Sequence, residues 1–222
     1  MATNYQQPGE ALAYTAATDI TSGAPIAFGL RQPAVALVDI DDTDSGNVQL
    51  QGVFVFAKNT SDAAAEGGKA WWDGANDEVV NAPVTGALFL GHFAESALAA
   101  ATTCAVKLAQ SFADEGPRLL TLAATGAQSL AAADFYCGDL TVLAPNTAAL
   151  TLTLPAVAEV PTGAKLRVKK TTADAHAVTL DGHEAETVGG AATFATMNAS
   201  GDTALFVNTG SAWQLIDSTI AA

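Results

Sequence analysis

Three clusters in this chain of 222 residues hold the residue types that chemistry needs. Asp39, Asp41, Asp42 and Asp44 crowd carboxylates into one short stretch, as calcium-binding loops do. An EF-hand frame also needs Gly at its sixth position and Glu at its twelfth, and no register here supplies them. The stretch reads as a solvated loop between two strands. Asp181, His183, Glu184 and Glu186 form a second cluster, with enough donors for a cation. The zinc motif H-E-x-x-H fails there, because Ala185, Glu186 and Thr187 follow His183-Glu184 without a second His. The default is again a solvated turn. His92 and His176 are isolated in sequence. Gly67-Gly68-Lys69 lacks the upstream Gly of a phosphate-binding loop, and neither G-x-S-x-G nor G-x-G-x-x-G occurs. No nucleophile–base pair assembles, so no catalytic residue, cofactor or metal is expected and the chain reads as a non-enzyme.

The third cluster is aromatic. In a strand, adjacent residues point to opposite faces. Trp71-Trp72 should therefore place one indole in a core and the other at a rim or interface. Trp213, near the C-terminus, is a third core or interface candidate. A carbohydrate platform is the alternative use of Trp72 and Trp213, with the loop around His183 beside them. Asn59-Thr60-Ser61 and Asn198-Ala199-Ser200 match the glycosylation sequon, which matters only in a secreted chain.

Such side chains must be positioned by something, and the pattern is one of strands. The 49 Ala would favour helix by propensity, but they sit among 25 Thr and 19 Gly, and stripes at helical spacing are scarce. Alternation is clearer. Val48 and Leu50, then Val53 and Val55, run through one segment, with Gly52 where the phase slips as at a bulge. Leu150, Leu152 and Leu154 alternate with Thr; Leu166 and Val168 alternate with Arg167 and Lys169. Ala204–Val207 is a short apolar run between turn signals. Turn signals such as Pro8-Gly9, Ser22-Gly23, Ser45-Gly46, Gly67-Gly68, Asp181-Gly182 and Gly189-Gly190 punctuate the chain. The expected fold is all-β: two antiparallel β domains, each a barrel or sandwich. Ser61–Glu66, stopped by Gly67-Gly68, could form one short helix in the first domain. The Ala-rich run from Phe93 to Ala113 is helical by propensity, but β-branched Thr102, Thr103 and Val106 favour strand.

Composition narrows the function. Half the residues are hydrophobic, 14% are charged, and 9 Lys and Arg face 23 Asp and Glu, a net charge of −14. The deficit is shared by both halves. A phosphate backbone needs Lys and Arg to neutralise it, so nucleic acid is not an expected partner. The same sign argues against an anionic membrane surface, and no apolar run is long enough to span a bilayer. The N-terminus has neither the basic nor the apolar region of a secretory signal. Cys104 and Cys137 form no disulfide framework and are expected to be reduced, buried thiols made in a cytoplasm. The charged turn at Asp114–Pro117 is the expected boundary between domains 10–112 and 117–222, with residues 1–9 as an extended arm.

Residues 4–109 carry an ordered series of features. Asn4-Tyr5 and Gln7-Pro8-Gly9 open it; Tyr14-Thr15 and Ser22-Gly23 follow. Then come Val35–Ile40, with Ala34 where a Gly is usual, and Gly46, Val48, Leu50 and Gly52-Val53-Phe54. Lys58, Asp62-Ala63, Gly67, Lys69–Asp73, Gly91 and the strand through Val106 complete it. The series resembles small phage head proteins of the DUF2190 type, regarded as capsid decoration, or cement, proteins. The resemblance implies strands at Leu88–Phe93 and at 102–108, joined by an Ala-rich loop. From about Thr121 the chain looks like β-sandwich modules on phage head and tail fibres, by Leu152-x-Leu154-Pro155, Gly163–Lys170 and Gly210–Ile216.

The resemblance implies a structural protein on the outer surface of a tailed-phage capsid, made in the host bacterial cytoplasm and stabilising the expanded head. Its partners would be the major capsid protein and further copies of itself, as a homotrimer. The nearly uncharged arm, with Asn4, Tyr5, Gln6, Gln7, Pro8 and Gly9, is the expected capsid contact. The alternative is a virion-borne module for host attachment or glycan binding.

Overall fold

The structure is a computed structural model and describes residues 9–29 and 32–220. Among these residues it contains β-strands, turns and short 3-10 turns, but no α-helix. The all-β class is as expected. Among the described residues no helix is long and apolar enough to cross a membrane. Contacts divide the chain into two units: residues 1–82 with 88–114, and residues 83–87 with 115–222.

Unit 1 has nine strands: β1 (Ala11–Thr15), β2 (Pro25–Phe28), β3 (Gln32–Ala36), β4 (Ser45–Gln49), β5 (Val53–Ala57), β6 (Lys69–Asp73), β7 (Glu78–Val80), β8 (Leu88–Phe93) and β9 (Thr103–Leu108). They form two antiparallel sheets, ordered β1-β4-β3-β2 and β5-β9-β8-β6-β7. The second order repeats the first, with β5, β9, β8 and β6 standing for β1, β4, β3 and β2 and β7 added at the edge. The loops repeat as well. Ile20 and Ile40 exchange two backbone hydrogen bonds of 2.8 Å, and Ala64 and Ala97 exchange two of 2.9 Å. Tyr14 meets Phe28 with ring centroids 6.2 Å apart, and Phe56 meets Trp72 at 6.0 Å, each pair at matching strand positions. Unit 1 is an internally duplicated β module.

This arrangement corrects two expectations. Gly52 is not a bulge within one strand. At φ +134° it breaks the chain between β4 and β5, which lie in different sheets. Ser61–Glu66 is not a helix, because Ala64 spends its backbone N–H and C=O on Ala97. A segment this short before two glycines cannot offset the cost of nucleating a helix. The Ala-rich run does resolve into β8 and β9, with residues 94–102 as the loop between them. Gly91, at φ +144°, lets β8 cross close to β9: a Cβ there would lie 2.1 Å from the Lys107 carbonyl oxygen.

Unit 2 has nine more strands: β10 (Arg118–Thr121), β11 (Gly126–Ser129), β12 (Asp139–Ala144), β13 (Leu150–Thr153), β14 (Lys165–Lys170), β15 (Val178–Asp181), β16 (Thr193–Met197), β17 (Thr203–Asn208) and β18 (Trp213–Thr219). Its sheets are ordered β10-β12-β14-β17-β18 and β11-β13-β15-β16. Here antiparallel pairing is only half of the pattern. β10, β12 and β14 pair in parallel, as do β11, β13 and β15, and the antiparallel strands β16, β17 and β18 complete the unit. The chain alternates between the sheets and returns beside itself one coil later. The reason is visible in the register. Leu120, Val142 and Val168 stack in one inward column, and Leu152 stacks on Leu180 in the facing sheet. All five are buried in one core that also takes Phe135, Phe206 and Trp213. Alternation along a strand fixes which face is buried, but not the direction of the neighbouring strand.

The corners of this coil are closed by polar side chains with partners. Asn208 donates from Nδ2 to the carbonyls of Val157 and Val160, both at 2.9 Å. Asn146 donates to Ala148 and His176. Both asparagines are fully buried, and each satisfies carbonyls that a coil corner would otherwise leave without donors.

Candidate functional site

Each residue that could do chemistry already has a structural partner or stands apart. Asp39 accepts the Ser22 N–H at 2.7 Å, and Asp19 accepts the Asp42 N–H at 2.8 Å, so these carboxylates tie the loops of the first sheet together. In the 181–186 turn both oxygens of Glu186 accept the Val157 N–H, at 3.1 and 3.0 Å. Glu184 is exposed and His183 half-buried. Among the described residues no group of three or more His, Cys, Asp and Glu could hold a metal ion. His92 packs edge-on against Phe89 at 5.8 Å. His176 lies 3.4 Å from Asp174 on the surface.

Charged groups that are buried form networks absent from the sequence reading. Glu115, in the charged turn expected at the domain boundary, is buried and grips the Arg118 guanidinium with two bonds of 2.6 and 2.9 Å. Arg118 also donates to Asp134 at 2.9 Å. Asp134 accepts further N–H bonds from Ala131 and Gly86, both at 2.9 Å, which fastens residues 83–87 into unit 2. Burial works against the charge on Arg118, but the bonds and fields of Glu115 and Asp134 outweigh it and raise its pKa further. Lys170, wholly buried at the end of β14, donates to Asn146, Thr172 and Asp174 at 3.0, 3.0 and 2.8 Å. That hydrogen bond holds the Asp174 carboxyl below the ordinary range. Lys58 donates to the carbonyls of Asn59, Asp62 and Ala99 and staples two loops of unit 1. These groups hold the fold and aim at no open cleft.

Of the candidate contact residues, Asn4, Tyr5, Gln6, Gln7 and Pro8 lie outside the described residues, and Gly9 is exposed in a turn. Trp71 is buried against Phe89 at 5.9 Å, while Trp72, on the opposite face, is half-buried beside Phe56. Trp213 is entirely buried 5.0 Å from Phe135. It therefore offers no stacking surface. Cys104 is buried and free; Cys137 is free but only half-buried, which corrects the expectation of two buried thiols. Burial pushes the Cys104 thiol up to about 11.

What remains is surface. The depressions are shallow: one of about 340 Å³ in unit 1, lined by Gly52, Val53, His92, Lys107 and Asp114 among others, has no paired acid and base. Next to it Val53 and Val55 project from β5 at 58% and 70% exposure. The equivalent residues of the duplicate strand β1 are Ala11 and Ala13. The buried charged groups of both units are spent on contacts within the fold, and the indole N–H of Trp213 is buried without a hydrogen-bond partner.

The family described as phage cement protein matches residues 6–108, a stretch that spans both halves of the duplicated unit. The match supports a phage capsid cement protein, a structural rather than an enzymatic class whose place is the capsid of the virion. No curated protein matches the chain.

Proposed function

We propose that this protein decorates the outer surface of a tailed-phage or phage-like capsid and stabilises the expanded head. The family match over residues 6–108 carries the reading. Unit 1 grips the major capsid protein of the assembled shell, and unit 2, similar to a fibre module, projects from it. The chain is made in the bacterial host and works on the virion as a homotrimer. Residues 2–9 supply the contact with the shell.

A ligand that binds only the expanded lattice stabilises it by RT ln(1 + [L]/Kd), about 2.7 kcal/mol per site at a hundredfold excess over Kd. Heads incubated with the protein should hold their DNA to a higher temperature than bare heads. Equal release temperatures at saturating protein would contradict the reading. Removing residues 2–9 should abolish head binding and leave the circular dichroism spectrum unchanged; undiminished binding would show that the arm is not the contact. The alternative, host attachment through an aromatic platform, finds no support at Trp213, whose indole is buried.

A further inference from the structure

We propose that the outward face of the β10-β12-β14-β17-β18 sheet binds a linear acidic polysaccharide, whose carboxylates sit on Lys165, Arg167 and Lys169. Unit 2 holds five cations, and Arg118 and Lys170 are buried in their networks. The remaining three are Lys165, Arg167 and Lys169, all exposed, all on one strand and all on one face. Alternate residues of a strand are roughly 6.6 Å apart, so the three form a straight cationic column about 13 Å long.

The column is almost uncompensated within the chain. Arg167 lies between Thr141 and Leu205, and Lys169 between Leu143 and Thr203. Only Lys165 has a carboxylate near, Asp139 at 4.0 Å, and both side chains of that pair are half exposed. Like charges at this spacing repel, and a chain with 23 carboxylates had many to intersperse. An external anion supplies what the face omits. The net charge of −14 does not prevent this, because at physiological salt fields are screened beyond about 8 Å.

The surroundings fit a sugar chain. A shallow groove of about 350 Å³ takes in Thr141, Lys165, Arg167, Leu205 and Ile216, with Asp139, the Lys165 partner, as its one carboxylate. Aliphatic side chains there meet the C–H faces of a sugar ring, Thr141 offers a hydroxyl, and Arg167 matches a carboxylate with two parallel N–H bonds. No Phe, Tyr or Trp faces outward among these strands, so nucleic-acid bases have nothing to stack on. A second copy fits less well. The face has three cations but only Asp139 and Asp217 as carboxylates, so two such faces together leave cation against cation.

The test is titration of the full-length protein with polygalacturonate, with neutral dextran as control. Wild type should bind polygalacturonate alone, more weakly as salt rises. Arg167→Glu should weaken binding at least tenfold, with Arg167→Gln as a second variant should the first fail to fold. Lys107→Glu makes the same charge change in unit 1 and should stay within twofold of wild type. No binding by wild type at low salt would overturn the proposal, as would equal losses in Arg167→Glu and Lys107→Glu. Equally tight binding of duplex DNA would also overturn it. So would self-association of wild type that Arg167→Glu abolishes, which would assign the face to a second copy.

Discussion

Arg118 shows what single residues do in this protein. Its guanidinium sits between two buried carboxylates, Glu115 and Asp134, at the first turn of the coil. Truncating one member of a buried charge network leaves the others buried without a counter-charge, which typically costs about 3–5 kcal/mol. Arg118→Ala should lower the urea midpoint of unit 2 by a corresponding amount. A change below about 1 kcal/mol would mean that water reaches the carboxylates. Cys104 gives a pH dependence with a definite sign. Its thiol is raised from 9.0 to about 11 by burial. Below pH 9 both folded and unfolded chains keep the proton. Between pH 9 and 11 the unfolded chain loses it first, so stability falls as pH rises, by roughly 2 kcal/mol across that window. Cys104→Ala should flatten that part of the stability–pH curve. The burial of Cys104 was legible in the sequence; the Arg118 network was not, since Glu115 reads as part of a charged boundary turn and Asp134 lies on a different element.

At the scale of elements, Gly91 is the sharpest dependency. Its φ of +144° and the nearness of the Lys107 carbonyl leave no room for a side chain. Gly91→Ala combines a backbone conformation worth about 1–3 kcal/mol of strain with displacement of β9. It should destabilise unit 1, whereas Gly67→Ala, with open space around it, should be milder. Equal losses in thermal unfolding would show that β8 and β9 can shift apart. Strand positions were legible from alternation: Leu150, Leu152 and Leu154, then Leu166 and Val168, are the buried apolar residues of β13 and β14 and of the turn after β13. Strand direction was not. The same alternation serves a neighbour running either way, and only the stacking of Leu120 on Val142 and Val168 reveals the parallel coil. The duplication in unit 1 was hidden for a related reason. Its equivalent positions exchange Tyr14 for Phe56 and Phe28 for Trp72, so shape is kept while identity is lost.

For the whole molecule, the net charge is −14, and the buried charged side chains of each unit have partners within that unit. Val53 and Val55 on β5 are exposed valines where the duplicate strand β1 carries Ala11 and Ala13. The stretch matched by the phage cement family lies in unit 1, and unit 2 has a core of its own. The most direct measurement is co-sedimentation of the purified protein with undecorated expanded heads and, in parallel, with free coat subunits, followed by electron microscopy of the pellets. Decoration predicts saturable binding to heads, density at regular lattice positions and no binding to free subunits. No binding to expanded heads at physiological salt would contradict it.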